Sequence, residues 1–78
     1  MKSFEVTYTM VMQRDRRITT RATRPETLLQ LAIDYPGFDV DLDCCIKIVI
    51  DDVLGNESIS FSREEIEKAV KKSRRSKP

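Results

Sequence analysis

The sequence predicts a small α+β domain of order ββαββα, a four-stranded antiparallel or mixed sheet with two helices on one face. Three observations carry this: two alternating apolar–polar runs near the N-terminus, a β-branched alternating run from Leu42 to Ile50, and helix-start signals at Thr23 and Ser62. The 78 residues allow one domain, near the lower end of what folds alone. The folded part is expected to span 1–70, and 71–78 to form a basic, disordered tail.

Phe4, Val6, Tyr8, Met10 and Met12 alternate with polar residues, the mark of a strand with one buried face. Ile18, Thr20 and Ala22 repeat the pattern. Directly opposed residues share a face, so even positions pair with even, Met12 with Ile18 for example. The hairpin loop then has an odd number of residues, most simply Arg14, Asp15 and Arg16. A two-residue loop would set Met12 against Arg17 and expose the apolar row.

Thr23-Arg24-Pro25-Glu26 reads as a capping box, with Pro25 in the first turn where its missing N–H costs little. Leu28, Leu31, Ala32 and Tyr35 follow helical spacing, with Leu29 and Ile33 widening the stripe. Pro36-Gly37 ends this helix after roughly three turns.

Residues from Phe38 to Asp43 are acidic and irregular; Leu42, Cys44, Ile46, Ile48 and Ile50 then share one face of a third strand. Leu54-Gly55-Asn56 signals a turn, and Ile59 and Phe61 a short fourth strand. Pairing Ile50 with Ile59 and Ile48 with Phe61 leaves either two loop residues, Leu54-Gly55, or a looser loop of four. Ser62-Arg63-Glu64-Glu65 is a second capping box, and Phe61 with Ile66 makes a hydrophobic staple. Ile66, Ala69 and Val70 form a narrow stripe, and beyond Lys71 no apolar residue remains to hold the chain, which is expected to fray.

The net charge of +1 conceals three blocks. Residues 1–25 carry six basic and two acidic side chains, 26–67 two basic and eleven acidic, and 68–78 six basic and none acidic. Segregation of this kind produces patches of both signs. With no histidine, the commonest general base and metal ligand is missing. Adjacent Cys44 and Cys45 point to opposite faces of a strand and cannot bridge without strain, which suits a cytoplasmic protein. No run of apolar residues exceeds three, so neither a signal peptide nor a membrane span is expected.

Several chemistries are excluded by spacing. Asp39-x-Asp41-x-Asp43 resembles the start of a calcium loop, but its sixth position is Cys44 rather than glycine and its twelfth is Ile50 rather than glutamate. Two adjacent thiols without histidine do not make a metal site, and the chain's Gly37 and Gly55 do not make a phosphate loop. A chain this short offers little room for a catalytic pocket, so no enzyme, cofactor or metal is expected. What remains is recognition. The acidic residues Asp39, Asp41, Asp43, Asp51 and Asp52, with Phe38 as an apolar anchor and Leu54 as a second, suit a basic protein surface. Arg14, Arg16, Arg17, Arg21 and Arg24 on the hairpin, with Lys71, Lys72, Arg74 and Arg75 in the tail, suit phosphate and form the alternative, nucleic-acid-binding set. Against that alternative, Phe4, Tyr8, Tyr35 and Phe61 fall on core faces and leave only Phe38 for base stacking. A third reading is a subunit that pairs through the open sheet face or an edge strand.

The first 35 residues run as an alternating strand, a charged tight turn, a second strand ending Arg21-Ala22-Thr23, and a capped helix beginning Pro25-Glu26-Thr27. This build resembles small proteins of phages and other mobile elements, and is similar in size and layout to several anti-CRISPR inhibitors. The resemblance covers less than half the chain and carries no diagnostic motif. It implies a stoichiometric inhibitor docking on a host nucleic-acid-handling complex, with no functional residue transferred.

Overall fold

A computed structural model describes residues 2–36, 40–55 and 57–76. The elements are β1 (Lys2–Met10), β2 (Arg16–Ala22), α1 (Glu26–Asp34), a 3₁₀ turn (Leu42–Cys44), β3 (Cys45–Asp52), β4 (Ser58–Ser62) and α2 (Arg63–Ser76). The strands form one antiparallel sheet in the order β2-β1-β3-β4. The core gathers Phe4, Val6, Tyr8 and Met10 of β1, Ile48 and Ile50 of β3 and Phe61 of β4 under Leu28, Ala32 and Ile33 of α1 and Ile66 and Ala69 of α2. Both helices therefore lie on the even-numbered face of β1. Among the described residues no element covers the odd-numbered face, which is called the bare face below.

In the first hairpin even residues do oppose even ones, Val6 facing Ile18 and Tyr8 facing Arg16. The register is nonetheless shifted: Ile18 faces Val6 instead of Met12, because β1 stops at Met10 and the loop takes five residues, 11–15, in place of the expected three. The Asp15 carboxylate closes that loop by accepting from the Met10 amide at 3.2 Å. Met12 leaves the core row entirely: it is 99% exposed, with φ at 58°. That left-handed conformation suits the turn rather than an extended strand.

The second hairpin has the expected pairing, Ile50 with Ile59 and Ile48 with Phe61. Its loop is the longer alternative, closed where the Asp52 amide donates to the Glu57 carbonyl at 3.0 Å. Inside it the Asp52 carboxylate accepts from the Leu54 and Gly55 amides, each at 3.1 Å. A side chain at Gly55 would bring its Cβ to 2.9 Å from that same carboxylate, which would have to shift to make room.

The expected face of β3 is corrected. Thr9 faces Lys47 but Met10 faces Cys45, so Ile46 is an extra residue between them. A bulge of this kind reverses the alternation. Cys45 is buried in the core while Ile46 is 47% exposed, and Leu42 and Cys44 touch the core from the 3₁₀ turn instead of from a strand.

Two helix expectations also change. The Thr23 capping box does not form; α1 starts after Pro25 with no side-chain cap, and Thr27 Oγ1 donates back to the Arg24 carbonyl at 2.8 Å. The buried stripe is Leu28, Ala32 and Ile33, leaving Leu31 exposed and Tyr35 76% exposed. The end signal at Gly37 lies outside the described residues. On α2, by contrast, the capping box forms: Ser62 Oγ accepts from the Glu65 amide, and Glu65 Oε1 accepts from the Ser62 amide, both at 3.4 Å. Phe61 and Ile66 are both buried, as a staple requires. The helix continues through Ser76, so 71–76 are helical rather than a frayed tail. Ser73 Oγ donates to the Asp34 carboxylate and ties this end of α2 to α1.

Candidate functional site

The bare sheet face is built by parity. With Phe4, Val6, Tyr8 and Met10 committed to the core, Ser3, Glu5, Thr7 and Thr9 must point the other way. Sheet pairing then extends each into a row. One row is Thr19–Glu5–Asp51–Ser58, the next Arg17–Thr7–Val49–Ser60, and a third Thr9–Lys47–Ser62, while Arg21 faces Ser3. The surface is rich in hydroxyls, with Val49 its one apolar side chain in these rows.

Its charge is concentrated in one place. Glu5 and Asp51 stand directly opposite each other on adjacent strands, and such a like-charge pair costs roughly 0.2–1 kcal/mol. Among the described residues no lysine or arginine is ion-paired to either. Arg17 and Arg21 occupy the positions diagonal to Glu5 on the edge strand β2, on either side of Thr19. Two carboxylates thus meet on the central strands, with arginines along the β2 rim and Lys47 at the other end of β3.

The expected acidic set does not come together. Asp41 and Asp43 sit before β3 and Asp51 and Asp52 at its far end, so the eight-residue strand separates the pairs by roughly 25 Å. Asp41 is occupied in capping the 3₁₀ turn, its carboxylate accepting from the Asp43 amide at 3.0 Å. Asp52 is occupied in the second hairpin and lies 3.9 Å from the Lys2 ammonium. Asp43 is exposed, and Leu54 is 93% exposed at the hairpin tip. Phe38 and Asp39 lie outside the described residues.

The basic set is likewise divided. Arg17 and Arg21 are on the bare face, whereas Arg16, opposite Tyr8, is on the helix side. Arg14 is exposed in the first hairpin loop and Arg24 in the link to α1. Lys71, Lys72, Arg74 and Arg75 all belong to α2, on the other layer of the molecule.

Glu5 is the site residue that composition and local motifs passed over. The signal was present in part, since alternation alone sends it outward. Its meeting with Asp51 needed the sheet order as well, which no local pattern contains.

The thiols are structural. Burial pushes the Cys45 thiol upward, against smaller lowering influences of the Lys47 backbone and the Arg63 guanidinium. Cys44 is raised first by desolvation and then by the Asp41 carboxylate, to which its sulfur donates at 3.7 Å. Both are therefore weak nucleophiles at neutral pH. Among the described residues there is no cluster of acidic and cysteine side chains able to hold a metal, and no helix long and apolar enough to cross a membrane. Fold and face together define a two-layer α+β domain with a bare, two-signed sheet. No family model, curated protein or solved structure matches the chain.

Proposed function

We propose that the protein is a non-enzymatic binding module that docks on a partner protein through its bare sheet face. The observation that supports this best is the Glu5–Asp51 pair flanked by Arg17 and Arg21. A like-charge pair with no ion-pair partner among the described residues is a local rule broken, the pattern expected where a surface serves recognition. A partner presenting a cation to the two carboxylates and an anion to the arginine rim relieves both. Charge of both signs side by side favours a protein over a nucleic acid, because phosphates drawn to the rim meet two carboxylates beside it. The narrower form of the proposal, an anti-CRISPR-like inhibitor acting in the cytoplasm on a host nucleic-acid-handling complex, is supported by the hairpin-then-helix resemblance.

Affinity capture from a lysate of the natural host, followed by mass spectrometry, tests the docking face. The wild-type domain is expected to retain a defined protein, and the folded double variant Glu5→Lys, Asp51→Lys to lose it. Equal capture by both would remove the face from the account. Binding of plain oligonucleotide that collapses between roughly 50 and 200 mM salt would favour the nucleic-acid reading instead.

A further inference from the structure

β2 is an edge strand: the sheet order β2-β1-β3-β4 leaves its outer side without a neighbour among the described residues. Backbone groups of an antiparallel strand point alternately to one side and the other. The Ser3 carbonyl accepts from the Val53 amide at 3.1 Å, so odd residues of β1 turn toward β3 and even ones toward β2. Phe4 and Val6 therefore bond with Thr20 and Ile18, while Arg17, Thr19 and Arg21 turn their amides and carbonyls outward. Among the described residues no hydrogen bond reaches those outward groups. The strand also has two unlike faces. Arg17 and Arg21 are exposed on the bare face, whereas Ile18 and Thr20, each half-buried, line a groove of about 150 Å³ with Leu31 and Tyr35 of α1. Leu31 is 44% and Tyr35 76% exposed, so the apolar wall of that groove stands open to solvent.

We infer that β2 accepts one further antiparallel strand from a partner polypeptide, a segment in which acidic and apolar residues alternate. Main-chain bonds to Arg17, Thr19 and Arg21 supply the pairing. Residues of the added strand opposite Ile18 and Thr20 fall on the helix side, against Leu31 and Tyr35, where apolar side chains fit. Those opposite Arg17 and Arg21 fall on the bare face, roughly 13 Å apart, where carboxylates fit. A second copy of this chain is disfavoured by charge, because the antiparallel register that pairs all seven residues of β2 with themselves sets Arg17 against Arg21 twice. The arginines thus guard the edge against self-association and select an acidic strand. The inference shares the arginine rim with the docking proposal above but rests on the edge and the helix-side groove, not on Glu5 and Asp51.

Titration of the ¹⁵N-labelled domain with the capped peptide Thr-Glu-Val-Thr-Val-Glu-Thr, against Thr-Lys-Val-Thr-Val-Lys-Thr as the charge-reversed control, decides it. The acidic peptide is expected to slow hydrogen exchange at the amides of Arg17, Thr19 and Arg21, while Ile18 and Thr20, already bonded to β1, change least. Affinity should fall roughly three- to tenfold in the double variant Arg17→Gln, Arg21→Gln. A similar fall is expected in Leu31→Ser with Tyr35→Ser, whose exposed side chains lie away from the bare face. That second variant leaves Glu5 and Asp51 untouched, so a failure of the edge and a failure of the face are told apart. The inference is overturned if the lysine peptide binds equally well, if the three amides gain no protection, or if either variant binds with undiminished affinity. Protection of the same amides that rises with concentration in the free domain would overturn it in favour of a second copy.

Discussion

The phenol of Tyr8, in the middle of β1, donates to the carbonyl oxygen of Ala32 on α1 at 3.0 Å, joining residues 24 positions apart. The ring is fully buried, and burial, aided by the nearby Cys45, pushes its ionisation up to about 12 from an ordinary 10.0. The protonated phenol is therefore favoured by the fold.

Stability should consequently fall in strong base. Below pH 10 the hydroxyl is protonated in both states and the full contribution is present. Between pH 10 and about 12 the unfolded chain releases the proton first, so up to about 2 kcal/mol drains away as pH rises through the folded value. Urea midpoints at pH 9 and 11.5 would show it. Tyr8→Phe should cost about 1 kcal/mol at pH 7 and flatten this high-pH decline.

Arg63 holds the other end of the sheet. Its guanidinium donates to the carbonyls of Leu42 at 2.6 Å and Cys45 at 2.7 Å, and pairs with Glu67 at 3.1 Å. It clamps the 3₁₀ turn to the start of α2. Arg63→Met keeps most of the stem and removes the donors; a loss of about 1–2 kcal/mol is expected. Hydrogen exchange should accelerate around 42–46. An unchanged denaturation midpoint would show that water replaces the clamp at no cost.

At the second hairpin, Gly55→Ala should destabilise by about 1 kcal/mol, because the new methyl cannot stay 2.9 Å from the Asp52 carboxylate without moving it off the two amides that it caps. Asp52→Ala should cost a similar amount, and the double variant less than the sum of the two. Thermal denaturation of the three variants measures that coupling.

Asp51→Asn isolates the charge on the bare face. Relief of its repulsion with Glu5 should raise stability by roughly 0.2–1 kcal/mol while weakening partner capture. A variant that becomes both more stable and a better binder would contradict the docking proposal.

Much of the fold was legible from parity. The Ile48–Phe61 and Ile50–Ile59 pairings followed from matching apolar rows across a recognised turn, and the second capping box from four consecutive residues. Other features depend on contacts that no local pattern encodes. Met12 continues the alternation of β1 yet lies in a loop, because the Asp15 carboxylate captures the Met10 amide. Thr23 has capping chemistry, but α1 starts after Pro25. Helical backbone beyond Lys71 coincides with the Ser73–Asp34 link, which joins residues 39 apart. For the candidate site, the individual charges were visible, but not their neighbours: the aspartates are dispersed by β3, and Glu5 meets Asp51 only once the strand order is known.

The bulge at Ile46 gives β3 an uneven tolerance to changes in chain length. One residue gained or lost between Leu42 and Ile46 can be taken up where the alternation already slips, at the boundary between turn and strand. The same change between Lys47 and Asp52 would turn Ile48 or Ile50 out to water and carry Asp51 inward. Natural insertions and deletions in this stretch should therefore cluster before Lys47, leaving the isoleucine register and the carboxylate opposite Glu5 in place.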